Sequence, residues 1–403
     1  MAKDQTKTKM RYYPALLGRH DMTAVMPALV RDVAFFNGIG GVVVGIWIYD
    51  KFRDFMAKTM AHNGREITNR KKFIDNDKSI LIDPMTYILG SQYKNFIRKR
   101  AKIRAELPSN VLQYLLNLEE IHKNKTGGYE KGVFIENVIE WSKSSELTKA
   151  MIKLQKEGGA TLLFSPYFTN FRSNFNAMLE ANLEFAQQGI NNVKRIENAK
   201  LGIVICIDKT ILKDDDYEDR LRNLFTAYKE KLTNVDRFFL KIDGIDLNDK
   251  NEEYEKIRKM VEIANKVLEQ SVFFLGIHEF GLILSLDGLE DFSSPMYSNL
   301  RIIRNKKGNR KASSVGRYVR PKDMERLKKD DIRYLPCSCI YCSAYSNVSQ
   351  IPPREWNILR KEHWIWWLND EIKQVTEADD SGLAQSLKDR FSRTTHRDWV
   401  GFI

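Results

Sequence analysis

The sequence contains few cysteines and histidines and no long apolar run, and each shortage excludes a class of protein. Four cysteines and six histidines occur in 403 residues. Three of the cysteines fall within six residues, a spacing that indicates a metal site and not the disulfide framework of a small secreted domain. No run of about 18 apolar residues occurs, so no membrane association is expected. The N-terminus, MAKDQTKTKMRYY, lacks the apolar stretch of a signal peptide, and we interpret the protein as cytoplasmic.

Short apolar runs alternate with longer amphipathic segments along much of the chain. Such near-continuous runs are typical of strands buried on both faces of a parallel sheet. Their alternation with helical patterns predicts an α/β fold, a (β/α)8 TIM barrel, with a small C-terminal appendage. The strand-like runs are residues 41–47, 79–82, 132–135, 161–164, 201–207, 237–242 and 272–277.

Four regions follow from this pattern. We expect an N-terminal capping segment at 1–40 and a catalytic barrel at 41–300. A basic segment with a zinc-binding subdomain is expected at 301–375, and a C-terminal helical tail at 376–403.

Polar residues directly follow several of the predicted strands. In barrels of this class the chemistry lies where strands end and the next loops begin, so these residues are candidates for a site. Each of them, taken alone, could equally cap a helix or lie in a loop. The candidates are Asp83, Ser165, Asp208, Asp243 and His278, which is followed by Glu279.

The thiol cluster predicts one structural zinc ion. Cys337, Cys339 and Cys342 have the C-x-C-x2-C spacing that lets three sulfurs converge on a tetrahedral ion. His363 lies twenty-one residues beyond Cys342 in a helical pattern and can supply the fourth ligand. Cys206 falls inside a predicted core strand and is not expected to reach the ion. The alternative is three buried free thiols.

The formal net charge of +12 is concentrated in one segment. Residues 301–329 contain twelve lysines and arginines against two acidic residues. A clustered positive field suits a polyanion such as nucleic acid. The alternative is a solvated basic loop. The residues that we predict to contact phosphates are Arg301, Arg304, Lys306, Lys307, Arg310 and Lys311.

The thiol turn and its distant histidine resemble the zinc subdomain of the tRNA-guanine transglycosylases. In that family a tyrosine follows the turn and the histidine opens a helix, and Tyr345 and His363 occupy the matching places. The resemblance implies a (β/α)8 barrel with a zinc insert near its C-terminus. The zinc would be structural, since four protein ligands leave no open position for water.

Two further segments resemble the catalytic motifs of the family. Asp83, in S-I-L-I-D-P-M-T-Y, takes the place of an aspartate that the family carries after an early strand. Asp291 keeps the four-residue spacing to Pro295 that the family's nucleophilic aspartate has, with Asp287 as the fallback. The resemblance therefore implies Asp291 as nucleophile and Asp83 as the group that transfers the proton.

The segments that resemble the family's base pocket depart from its motifs. Residues 201–208 resemble a base-binding strand, with Ile205 in place of a glutamine, and Asp243 with Gly244 stand where the family has G-G-L. We assign to substrate binding the residues that follow the predicted strands in and around these segments, which are Ser165, Asp208, Asp243, Gly244 and His278.

This divergence resembles the branch that exchanges guanine in DNA for 7-deazaguanines, the DpdA-type proteins of phages and bacterial modification islands. The resemblance implies DNA and a free 7-deazaguanine base, such as 7-cyano-7-deazaguanine, as partners, with a covalent aspartyl-glycosyl intermediate. Two alternatives remain open, a divergent tRNA-guanine transglycosylase and a catalytically inactive nucleic-acid-binding paralogue. Helper proteins and a homodimer also remain open.

Overall fold

A ring of eight parallel strands forms the centre of the fold. The computed structural model describes residues 10–17, 19–62, 65–89, 101–123, 131–245, 251–295, 318–319, 326–327, 329, 332, 335, 337–377 and 380–392. The strands follow one another around the ring in chain order. They are β1 (Arg11–Leu16), β2 (Gly41–Gly45), β3 (Ser79–Asp83), β4 (Leu163–Phe164), β5 (Leu201–Asp208), β6 (Arg237–Asp243), β7 (Phe273–Leu275) and β8 (Asp291–Pro295).

Two pairings close the ring, one between β1 and β8 and one between β3 and β4. β1 pairs with β8 in parallel, with Arg11 opposite Asp291. Between β3 and β4 an isolated bridge joins Leu81 to Leu162, and the Thr161 amide donates to the Ile80 carbonyl at 2.8 Å. The predicted (β/α)8 barrel is therefore confirmed.

The first strand of the barrel lies inside the segment that we expected to form an N-terminal cap. Arg11–Leu16 pairs with both β2 and β8, so the barrel begins there and not at residue 41. Its sequence, RYYPAL, starts with a charge and contains Pro14, which hid the strand from a search for apolar runs. The outer limits proposed for the other regions stay predictions.

One predicted strand is wrong. Residues 132–135 lie in a helix, Lys131–Ser142. Phe134, Val138 and Trp141 are all buried, and their spacing of four and three residues places them on one helical face. A short apolar run cannot by itself distinguish a buried helix from a strand, and the three-to-four-residue period decides here.

Helices surround the ring and connect its strands. A short antiparallel hairpin, Thr59–His62 with Arg65–Thr68, and a pairing of Tyr318–Val319 with Arg326–Leu327 lie outside the barrel sheet. The helices are α1 (Arg19–Arg31), α2 (Tyr49–Met56), α3 (Asn69–Asp75), α4 (Ala101–Glu106), α5 (Ser109–Lys123), α6 (Lys131–Ser142), α7 (Glu146–Glu157), α8 (Phe175–Val193), α9 (Tyr217–Lys231), α10 (Asn251–Leu268), α11 (Gly281–Leu284), α12 (Pro353–Glu377) and α13 (Asp380–Phe391).

Aromatic rings fill the barrel interior. Tyr13 contacts Phe273 at 4.7 Å between ring centroids, Phe273 contacts Phe239 at 4.8 Å, and Phe239 contacts Phe164 at 4.8 Å. The first and third of these contacts join strands that are not neighbours in the sheet, so these side chains must point inward. The interior is a packed core and not a channel, as is usual for barrels of eight strands.

The C-terminal region is joined to the N-terminal part of the barrel by polar contacts. Lys361 Nζ on α12 lies 2.6 Å from Asp21 Oδ1 on α1, and the Tyr341 hydroxyl donates to Asp32 at 3.0 Å. The Asn369 side chain accepts from the Gly38 amide at 2.9 Å. Among the described residues, no helix is both long enough and apolar enough to span a bilayer.

Candidate active site and metal centre

Asp83 is the last residue of β3 and lies at the carboxyl end of the barrel. Its side chain is buried, and its Oδ1 accepts hydrogen bonds from the Tyr167 hydroxyl at 2.7 Å and the Met85 amide at 2.8 Å. Burial raises the pKa of Asp83 above its ordinary value, while the Lys241 charge and these two hydrogen bonds act in the opposite direction. A carboxyl group whose pKa is raised in this way is better suited to donate a proton than an exposed one.

The loop after β3 and the loop after β4 are joined beside Asp83. The Thr86 hydroxyl donates to the Tyr167 carbonyl at 2.6 Å and accepts from the Tyr167 amide at 2.9 Å. The Tyr87 and Tyr167 rings stack at 5.3 Å. Met85 has a φ of 50°, a left-handed conformation that is uncommon for a residue with a side chain. These contacts fix the direction in which Tyr167 presents its hydroxyl to Asp83.

Asp243 is the last residue of β6 and lies at the same end of the barrel. The Thr169 hydroxyl donates to Asp243 Oδ2 at 3.2 Å. Lys241 precedes Asp243 by two residues, so both side chains lie on the same face of the strand. The Lys241 ammonium lies 4.8 Å from the centroid of the Tyr87 ring, in a cation–π contact.

Asp83, Lys241 and Asp243 share one electrostatic environment. Burial raises the pKa of Tyr87 well above its ordinary value, and the charges of Asp83 and Asp243 add to that increase. Burial also raises the pKa of the Cys206 thiol, with Asp243 acting in the same direction and Lys241 against it. The thiol therefore stays protonated and unreactive. The carboxyl end of the barrel thus holds a buried group of two carboxyls and one ammonium, the Asp83–Asp243 cluster.

The other predicted substrate-binding residues also follow strands at this end of the barrel. Ser165 is buried directly after β4. Asp208 ends β5 and accepts hydrogen bonds from the amide of Thr210 at 2.9 Å and from its hydroxyl at 2.8 Å. Gly244 follows β6 with a φ of +92°, which favours glycine. The backbone of His278 begins a short 3-10 helix after β7, His278–Phe280.

Asp291 lies at the opposite end of the barrel from Asp83. It is the first residue of β8, its side chain is fully buried, and Arg11 pairs with it through two hydrogen bonds of 2.9 and 3.0 Å. Arg237, the first residue of β6, contacts the same carboxylate. In a parallel barrel the first residues of the strands meet at the amino end, away from Asp83. The prediction that Asp291 acts as nucleophile beside Asp83 is therefore wrong.

Asp287, the second candidate for the nucleophile, also lies at the amino end of the barrel, away from Asp83. Asp287 lies in the connection between α11 and β8, on the amino side of the barrel. Arg258 holds its two oxygens at 2.7 and 2.8 Å. Both aspartates in this stretch are structural ion-pair partners.

The predicted phosphate-binding residues lie outside the described residues. They are Arg301, Arg304, Lys306, Lys307, Arg310 and Lys311. Their contact with nucleic acid stays a prediction.

The four predicted metal ligands come together. The ligand atoms of Cys337, Cys339, Cys342 and His363 all lie within 4.8 Å of one another. His363 Nδ1 is 3.5 Å from Cys339 Sγ and 3.4 Å from Cys342 Sγ. Zinc bonds of about 2.3 Å to sulfur and about 2.0 Å to nitrogen, at tetrahedral angles, require a sulfur–nitrogen separation of about 3.5 Å. The residues fit one structural zinc ion, as predicted.

The backbone of the thiol turn also suits a bound metal. The Cys339 amide points to Cys337 Sγ at 3.3 Å, and the Cys342 amide points to Cys339 Sγ at 3.4 Å. Such N–H donors stabilise thiolates, the form that binds zinc. The site lies far along the chain from the Asp83–Asp243 cluster and connects α12 to the thiol turn.

Removing a thiol ligand is expected to release the metal and loosen the C-terminal region. Purified protein should contain about one zinc per chain, and Cys339→Ala should lose most of it because a structural site needs all four ligands. Metal analysis measures the first effect and hydrogen exchange over residues 337–377 the second. The control is Cys206→Ala, which removes a buried thiol in β5 that is not a metal ligand. This variant should retain the zinc. Freshly purified wild type without zinc would contradict the assignment.

Comparison with known proteins gives a partial match to one enzyme family. Over 80 residues the chain is 32% identical to the tRNA-guanine(15) transglycosylase of Pyrococcus abyssi and 31% identical to that of Thermococcus kodakarensis. The matched stretch covers 19% of this chain and 13% of the length of each relative. No family model matches the chain. The partial similarity, together with the barrel and its Cys3His group, supports a relationship to the guanine transglycosylase superfamily.

Proposed function

We propose that this protein exchanges guanine in DNA for a free 7-deazaguanine base, with a covalent aspartyl-glycosyl intermediate. One observation carries the proposal. Asp83, a buried carboxyl whose pKa is raised by burial, lies in one cluster with a second carboxyl, Asp243, at the carboxyl end of the barrel. Displacement at a sugar carbon with a covalent intermediate requires such a pair, one group to attack and one to transfer a proton.

Asp243 takes the role that the sequence had suggested for Asp291. A carboxylate oxygen of Asp243 attacks C1′ of the target nucleotide, and the bond from C1′ to the guanine base breaks. Asp83 gives its proton to the departing guanine. The incoming base then attacks C1′, its ring N–H proton passes to Asp83, and the ester bond to Asp243 breaks.

Lys241 supplies positive charge and hydrogen-bond donors to the same cluster. Its ammonium has three donors and no acceptor, so a base must present an acceptor, such as a ring carbonyl, to it. Tyr87 holds that ammonium in place through its ring and is itself stacked on Tyr167. The Lys241 contact would hold the leaving base while its bond to C1′ breaks.

DNA is the proposed polymer because the base-pocket segments depart from those of enzymes that act on tRNA. The relatives that match over 80 residues are named for tRNA, which makes tRNA the alternative substrate. Incubation with radiolabelled 7-cyano-7-deazaguanine and either duplex DNA or tRNA separates the two. Label in DNA supports the proposal, and label in tRNA alone would replace DNA with tRNA.

The covalent intermediate offers a second readout. Wild type is expected to give a DNA adduct that survives a denaturing gel, and Asp243→Asn is expected to give none, because the amide cannot form the ester. Asp291→Asn, soluble and folded, should still give the adduct. An adduct that persists in Asp243→Asn would remove this residue from the nucleophile role. No adduct and no label with any polymer would favour the inactive nucleic-acid-binding paralogue.

A further inference from the structure

A shallow, open cleft lined by polar residues lies on the carboxyl face of the barrel beside the loops that follow β4 and β5. Arg172, Ser173, Thr210 and Arg220 line it, and its volume is about 540 Å³. We propose that this cleft binds a backbone phosphodiester of the DNA strand whose target nucleotide occupies the Asp83–Asp243 cluster. The proposal rests on the proposed function and adds the place where the polymer is held.

The cleft is connected to the cluster by a few residues of ordered backbone. Asn170 pairs with the end of β5, since its amide donates to the Cys206 carbonyl at 2.8 Å and its carbonyl accepts from the Asp208 amide at 3.1 Å. Thr169, one residue earlier, is the donor to Asp243. Arg172, two residues after Asn170, therefore stands at the rim of the barrel next to the proposed reaction centre.

The second side of the cleft comes from the loop and helix after β5. Thr210 follows Asp208 by two residues, and Asp208 lies opposite Asp243 in the strand register. Arg220 is in the first turn of α9, which begins on the carboxyl side because it follows β5. The phosphates that flank a nucleotide lie only a few ångströms from its sugar. A strand with one nucleotide in the cluster therefore has its flanking phosphates at the rim of the barrel, where this cleft lies.

One buried carboxylate holds the two arginines together. Asp214, whose side chain is 3% exposed, contacts Arg172 and also lies 3.3 Å from Arg220 Nη1. The arginine side chains keep 57% and 34% of their surface exposed. A guanidinium group has five N–H donors, so Asp214 on Arg172, and Asp214 with Asp216 on Arg220, do not use all of them. Two guanidinium groups, one from the connection after β4 and one from α9, are thereby held side by side at the cleft.

This arrangement suits a phosphodiester better than a free cation or an apolar ligand. Arginine pairs and hydroxyl groups are the usual contacts to phosphate oxygens. The Thr210 hydroxyl already donates to Asp208, so the guanidinium groups and the Ser173 hydroxyl are the donors available for the ligand.

The nearby acidic residues limit the affinity that we expect of the cleft for a phosphate. Asp214 and Asp216 balance the charges of Arg172 and Arg220, so the cleft has no excess positive charge. We therefore expect one phosphate contact that positions the strand, with a modest share of the affinity.

The test is binding of a short single-stranded oligonucleotide to wild type and to Arg172→Gln, without free base, at several salt concentrations. The variant should bind about three- to tenfold more weakly, and the slope of log K against log salt should fall by about 0.7, the value for one phosphate on a single strand. Asp214 keeps Arg220 as its partner in this variant, so the fold is expected to persist, and a melting curve checks it.

The matched control is Arg222→Gln. Arg222 lies two residues after Arg220 on α9, pairs with Glu218 at 3.7 Å and does not line the cleft. Arg222→Gln removes the same charge as Arg172→Gln but at a position outside the cleft, and it should leave the salt slope unchanged. Equal slopes for wild type and Arg172→Gln, or equal losses in both variants, would overturn the proposal.

A neutral linkage in the oligonucleotide identifies the contacted phosphate. Methylphosphonates placed one at a time around the target guanine should weaken binding to wild type at one linkage and have no effect there in Arg172→Gln. If no linkage shows this loss, the cleft does not hold a phosphate. These assays measure binding alone. If the linkage effect is present but no labelled base is incorporated, the proposed reaction is refuted and the phosphate site is retained.

Discussion

Asp83→Asn is expected to lower the rate of base exchange by about 10²–10⁴-fold, the usual contribution of a positioned proton donor. Asparagine keeps the Oδ1 acceptor for Tyr167 and for the Met85 amide, so the local structure should remain. It cannot give a proton to the leaving guanine. Single-turnover incorporation of labelled base measures the effect. A variant within threefold of wild type would show that Asp83 does not transfer the proton.

The same substitution should not destabilise the protein at neutral pH. The pKa of Asp83 is raised by burial from an ordinary value of 3.8, so between that value and the raised pKa the folded state binds more protons than the unfolded state. The stability contributed by Asp83 is therefore fully present below about 3.8 and is lost as the pH rises through the folded pKa. Asparagine at this position would remove the pH dependence, and the melting temperature at neutral pH should be equal or higher.

Asp291→Asn is expected to act on stability and not on the chemistry. Its carboxylate is fully buried between Arg11 and Arg237, and asparagine would leave both guanidinium groups without a counter-charge. Breaking a buried pair in this way costs about 3–5 kcal/mol, and the 38% exposure of Arg11 places the expected loss near about 3 kcal/mol. Urea denaturation measures it. Base exchange per folded molecule should remain within a few-fold of wild type.

Asp287→Asn is the matched control for that prediction. It breaks a similar aspartate–arginine pair on the same side of the barrel, but one in which both side chains keep contact with water. The expected loss is smaller, about 1–2 kcal/mol. If Asp291→Asn abolishes exchange while its stability equals that of Asp287→Asn, the structural role of Asp291 is refuted.

The barrel could be predicted because most of its strands are apolar on both faces. The run at 201–207 and the run at 237–242 each became a strand of the ring. β1 escaped because Arg11 and Pro14 interrupt its apolar character. The zinc ligands could be predicted because thiols at this spacing have few other uses.

The site could be predicted only in part, and the misassignment of Asp291 shows why. β8, with the sequence DFSSP, is not an apolar run, so the sequence did not reveal that Asp291 begins a strand. A spacing motif places a residue along the chain but not at one end of a barrel or the other. Lys241 lies in a strand that was predicted, but the sequence does not show whether a charged side chain in such a strand faces a buried cluster. It was therefore not among the predicted site residues.

The pairing of β1 with β8 affects how the chain folds during synthesis. Arg11 meets its partner Asp291 280 positions later, whereas Tyr12, Ala15 and Leu16 pair on the other side with β2 and the residues just before it. At the usual pace of a ribosome, that interval lasts on the order of tens of seconds. Tyr12 and Tyr13 therefore emerge long before Phe292 and Ser293, their partners in β8, exist. Chaperones that cover apolar segments at the ribosome therefore find a target in β1, well before the ring can close.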